Sequence, residues 1–150
     1  MSERTDHNPP KEGHLRHRLY GRAAGKPLSK TQTARVETLL PRLAIPQGRT
    51  LAPLDLFGGK AREAWLEIGF GGGEHLAGQA ARRPEVGFLG AEPFLEGVAK
   101  LLSEVEREGL ANVRVRRGEA RDLVEQLPPL GIERVFILFP DPWPKTRHRK

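Results

Sequence analysis

Cysteine is absent from the 150-residue chain. That excludes disulfide scaffolds, thiolate zinc sites and cysteine nucleophiles. Long apolar runs are absent too: no stretch approaches the roughly 18 residues that a membrane-spanning helix needs. The first fourteen residues, MSERTDHNPPKEGH, contain no apolar core of the kind a signal peptide carries. These absences lead us to expect a cytoplasmic protein with no membrane partner. Acidic residues are missing locally. Residues 15–30, LRHRLYGRAAGKPLSK, hold Arg16, Arg18, Arg22, Lys26 and Lys30 and no Asp or Glu. Over the whole chain 25 basic side chains outnumber 19 acidic ones, for a net charge of +6. That balance favours a polyanionic partner, nucleic acid first and an anionic membrane surface second.

The chain divides into a flexible basic arm, residues 1–30, and a single domain over residues 31–150. Val36, Leu39, Leu40 and Leu43 have helical spacing, which predicts a helix over 31–43 capped by Ser29 or Thr31 and kinked or ended at Pro41. Residues 46–62 hold three glycines and two prolines and read as a loop with a short apolar piece, Leu54–Phe57. Strand–turn–helix units then begin. Strands are expected at 64–70, 86–91, 112–117 and 134–139, with helices at 73–82, 94–108 and 119–127. In the second of these helices Phe94, Val98, Leu101, Leu102 and Val105 share one face. The alternation predicts an α/β, Rossmann-like fold: a parallel sheet with helices on both faces and ligands at the C-terminal strand ends.

The residues at those ends suggest what is bound. Leu66 to Gly73 read LEIGFGGG, and Gly69 and Gly71 allow a sharp turn and a close backbone approach. A dinucleotide fingerprint requires a third glycine where this chain has Glu74. Glu67 beside the turn would repel a pyrophosphate and suits a cationic amino group instead. S-adenosylmethionine carries such a group and no phosphate. Glu92 closes the second strand about 20 residues on, where an acid accepts hydrogen bonds from ribose hydroxyls. Glu119 follows the third strand and could meet an adenine amino group, although a helix N-terminus also favours an acid.

After the fourth strand comes FPDPWPKTRHRK, residues 139–150. Its prolines stiffen the backbone around Asp141 and Trp143, a carboxylate and a flat aromatic suited to holding a base. Lys145, Arg147, Arg149 and Lys150 add positive charge for phosphates.

LEIGFGGG, the Glu92 strand end and FPDPWPKTRHRK together resemble the bacterial tRNA (guanine-N7)-methyltransferases, and RLYGRAAGKPL resembles that family's basic arm. The resemblance implies a cofactor, S-adenosylmethionine, bound by Glu67, Gly69, Gly71, Glu92, Glu119 and Asp141. Members often carry Asp or Asn where this chain has Glu119. It also implies that Asp141 is catalytic, that Lys145 touches the substrate, and that Arg147, His148, Arg149 and Lys150 contact the tRNA, with a variable-loop guanine as target. Guanine N7 already carries a lone pair, so positioning and electrostatic stabilisation should dominate catalysis. The family's sheet has seven strands and this sequence supplies four. The expectation is therefore a piece of a longer protein, with an exposed apolar fourth strand and little activity of its own. Three other readings remain: another S-adenosylmethionine-dependent enzyme, a nucleotide-dependent oxidoreductase, and a non-catalytic RNA-binding fragment. The sequence does not choose between monomer and homodimer.

Overall fold

The computed structural model describes residues 27–138. The basic residues Arg16, Arg18, Arg22 and Lys26 lie outside the described residues, as does everything from Phe139 to Lys150.

Two short helices open the described chain, α1 (Lys30–Thr38) and α2 (Leu40–Leu43). Ser29 caps α1 through a capping box. The Gln32 N–H donates to Ser29 Oγ at 3.1 Å, and the Ser29 N–H donates to Gln32 Oε1 at 2.9 Å. The single helix expected here is broken because Pro41 has no N–H to continue the ladder. The chain restarts with that proline in the first turn of α2, where no donor is required. The apolar piece within the following loop forms a 3-10 helix, Pro53–Phe57.

Strands β1 (Glu63–Ile68), β2 (Val86–Glu92), β3 (Val113–Arg117) and β4 (Arg134–Ile137) alternate with α3 (Glu74–Arg82), α4 (Leu95–Glu108) and α5 (Ala120–Gln126). All pairings are parallel and the strand order is β3-β2-β1-β4. Every residue of β2 is buried, as a strand covered on both faces requires. Trp65, Phe88, Val113 and Val115 pack on one face with Leu76 of α3 and Val98, Leu101, Leu102 and Val105 of α4. Leu66, Leu89 and Ala91 pack on the other face with Phe57 and with Leu123 of α5. This is the Rossmann-like parallel sheet that the strand–helix alternation predicts. Phe94 departs from the expected stripe. It precedes α4 in an extended conformation, and its side chain is exposed.

The chain winds outward from β1 to β3, then crosses back to place β4 on the far side of β1. The order of winding therefore reverses between β1 and β4, where open α/β sheets bind ligands. Within the described residues β4 is an edge strand, with Val135 53% and Ile137 51% exposed. Arg116 of β3 is a buried guanidinium whose Nη2 donates to the carbonyls of Ile45 and Pro46 and to Gln126 Oε1, at 3.3, 3.1 and 2.5 Å. It ties the loop after α2 to the end of α5. No described helix is long and apolar enough to cross a membrane.

Candidate ligand site at the strand ends

The turn after β1 depends on glycine. Gly69, Gly71 and Gly73 have φ of 69°, 59° and 80°, in the left-handed region that side chains disfavour. The Gly69 N–H donates to the Ala91 carbonyl at 2.8 Å and the Gly73 N–H to the Phe70 carbonyl at 2.9 Å. Together these bonds fold the turn back against β2 and start α3 at Glu74.

Glu92, the last residue of β2, joins three strand ends. Its Oε2 accepts from the Gly71 N–H at 2.9 Å and its Oε1 from the Phe94 N–H at 3.4 Å. Its backbone carbonyl takes the Gly118 N–H, just past β3, at 3.0 Å. The carboxylate is only 5% exposed. Burial pushes its carboxyl above the usual range, and the two backbone donors partly oppose that. A carboxylate has about four acceptor positions, so two bonds leave capacity for a ligand. Nearby, α4 crosses the turn closely: a Cβ on Gly97 would lie 2.2 Å from the Gly71 carbonyl oxygen.

Glu67 lies one residue before the end of β1, in register with Gly90 of β2 and Phe136 of β4. It is 2% exposed. His75 Nδ1, in the first turn of α3, is hydrogen-bonded to its Oε1. Oε2 is buried and has no hydrogen-bond partner among the described residues. Burial raises this carboxyl above its ordinary range, and the hydrogen bond and charge of His75 pull the other way. The His75 ring meets Phe136 edge-on, with centroids 5.2 Å apart.

Glu119 is the N-cap residue of α5, partly exposed, and its side chain makes no capping hydrogen bond. The fold thus brings Glu67, Gly69, Gly71, Glu92 and Glu119 to the C-terminal edge of three adjacent strands. Asp141, Lys145, Arg147, His148, Arg149 and Lys150 lie outside the described residues. The sequence reading missed two residues. His75 gave only the signal of a polar side chain one turn into the helix after a glycine loop. Gly97 was more legible, because a glycine inside a helix costs about 1 kcal/mol relative to alanine and implies a compensating close approach.

Such an arrangement of buried acceptors suits a ligand rich in donors and positive charge. A pyrophosphate would call on the free N–H groups of the turn, and the Gly71 N–H is already given to Glu92.

Comparison with known proteins gives the family and the fold. Residues 61–150 match the model of a family described as "Putative methyltransferase". The chain is 50% identical to a protein of Caulobacter vibrioides (strain NA1000 / CB15N) named tRNA (guanine-N(7)-)-methyltransferase, over 94% of this chain and 62% of that protein. A protein of the same name from Zymomonas mobilis subsp. mobilis is 48% identical over 100% of this chain and 63% of its own length. The chain thus spans less than two thirds of either relative. Among solved structures, one titled "Structure of an Antibiotic Related Methyltransferase" superposes with a TM-score of 0.52 at 20% identity, covering 67% of this chain and 52% of that one. That likeness shows a shared fold.

Proposed function

The chain belongs to this methyltransferase family, and from that premise we propose that it acts as an S-adenosylmethionine-dependent tRNA (guanine-N7)-methyltransferase in the cytoplasm. The observation that carries the proposal is the pair of buried carboxylates, Glu67 and Glu92, at the ends of neighbouring strands around a glycine turn. Both are acceptors with unused capacity, and Glu67 has one oxygen with no partner among the described residues. They fit a ligand with a cationic amino group and ribose hydroxyls. The names of the Caulobacter and Zymomonas relatives support tRNA as substrate and guanine N7 as target.

In this reading Glu67 accepts from the donor's amino group, Glu92 from the ribose and Glu119 from the adenine. Gly69 and Gly71 let the ligand approach the backbone. When bound, S-adenosylmethionine supplies an electrophilic methyl group on a sulfonium. Guanine N7 needs no deprotonation before it attacks. The protein's work is to align the two partners and to stabilise the positive charge that grows on the purine. Asp141 does this by accepting a hydrogen bond from the guanine or from the donor's amino group. Lys145 contacts the substrate, and Arg147, His148, Arg149 and Lys150 contact the RNA backbone.

Calorimetric titration of S-adenosylmethionine into the purified protein tests the site. Saturable binding that is lost in Glu67→Ala and Glu92→Ala is expected. Binding of tRNA with no affinity for the methyl donor would replace this reading with a non-catalytic RNA-binding one.

A further inference from the structure

His75 has no role in the reading above, yet among the described residues it supplies the side-chain hydrogen bond to Glu67. We infer that His75 is a positioning residue. It holds Glu67 by Oε1 and leaves Oε2 to accept from the ammonium group of the methyl donor. The inference rests on the assignment of Glu67 to that ammonium.

Three observations support it. First, a carboxylate that is 2% exposed has two oxygens in unlike surroundings: Oε1 is bonded to the imidazole Nδ1, and Oε2 has no hydrogen-bond partner among the described residues. A buried acceptor left open in this way is costly unless something completes it. Second, burial favours the neutral carboxyl, a poor partner for a cation, and the hydrogen bond and charge of His75 oppose that neutralisation in part. Third, His75 is itself held in place. Its backbone sits in the first turn of α3, directly after the glycine turn, and its ring rests edge-on against Phe136. Phe136 is the residue opposite Glu67 in the β1–β4 register. Residues from β1, α3 and β4 therefore meet where the winding of the sheet reverses. Fixing the carboxylate before the ligand arrives lowers the ordering cost of binding.

Calorimetry with two ligands separates positioning from general support of the fold. One is S-adenosylmethionine. The other is 5′-deoxy-5′-(methylthio)adenosine, which keeps adenine and ribose but has no amino-acid part. For His75→Ala and for His75→Phe, which keeps a ring against Phe136, we expect the Kd for S-adenosylmethionine to rise about tenfold or more. The Kd for the methylthio nucleoside should not change. His75→Asn places an amide nitrogen near the position of Nδ1 and should recover part of the loss. In a Glu67→Gln background, His75→Ala should add little. The inference is overturned if His75→Phe binds S-adenosylmethionine like the wild type, or if both ligands weaken equally. If Glu67→Gln itself binds S-adenosylmethionine normally, the underlying assignment of Glu67 is wrong. If Glu67→Gln weakens binding and the His75 variants do not, only the positioning role is wrong.

Discussion

Adding one methyl group at Gly97 tests how the site is held together. A Cβ there would lie 2.2 Å from the Gly71 carbonyl oxygen and 3.2 Å from Glu92 Cγ. Real Cβ contacts are essentially never under 3.0 Å, so α4 and the glycine turn must separate by about 1 Å. Overpacking of this kind costs about 1–3 kcal/mol. The separation also stretches the 2.9 Å bond from the Gly71 N–H to Glu92, and a hydrogen bond to a charged group contributes about 1.5–3 kcal/mol. Alanine gives back about 1 kcal/mol of helix propensity. The net expectation for Gly97→Ala is a loss of roughly 2–4 kcal/mol, read as a fall in Tm of about 4 °C per kcal/mol. Gly78 of α3 provides the control: a Cβ there meets nothing within 4 Å. Gly78→Ala should therefore stabilise the protein by about 0.5–1 kcal/mol. Thermal melting followed by circular dichroism measures both variants, and calorimetry should show weaker methyl-donor binding only for Gly97→Ala. A Gly97→Ala protein that melts within a degree of the wild type would refute the packing argument.

Three further expectations use other parts of the structure. Burial raises the carboxyls of Glu67 and Glu92, so between the unfolded value of about 4.3 and their folded values the native state holds more protons than the unfolded chain. Their contribution to stability is therefore full below that window and is lost as pH rises through it. Glu67→Gln should flatten the pH dependence of urea unfolding between acid and neutral pH while weakening donor binding; an unchanged slope would count against the burial account. Arg116→Met leaves the Ile45 carbonyl and Gln126 Oε1 without their donor, while the Pro46 carbonyl keeps the bond from Gln126 Nε2, and urea denaturation should show a loss of about 2–3 kcal/mol. Asp141→Ala should keep the fold and lower guanine methylation at least about 100-fold in single-turnover assays. Near-normal turnover would remove Asp141 from the proposed chemistry.

Much of this fold is legible one segment at a time. β2 reads as a buried strand because Val86 to Glu92 hold no charge before the terminal acid. The apolar stripe of α4 follows from the spacing of Val98, Leu101, Leu102 and Val105. Glycines at 69, 71 and 73 announce the turn, and Glu67, Glu92 and Glu119 fall at strand ends because the strands can be located. Local periodicity and turn chemistry decide these features, and both are properties of neighbours in the chain.

Other features depend on partners far apart in sequence. The short apolar piece Leu54–Phe57 gave no sign that Phe57 would pack beneath the sheet with Leu123. Nothing in NVRVRR distinguishes Arg116, which is buried and bonded to residues 70 and 71 positions earlier, from its exposed neighbour Arg117. The bond from Gly71 to Glu92 and the approach of Gly97 to Gly71 exist only once β1, β2 and α4 are packed together, and the contact of His75 with Glu67 only once the glycine turn sets α3 against β1. The sequence alone determined the strand–helix units and the acids that end them. The tertiary structure alone decided which acid is held by backbone, which by an imidazole, and which oxygen is left open. Periodicity is set within one turn or one strand, whereas the partners of a buried polar atom are set by how separate elements pack.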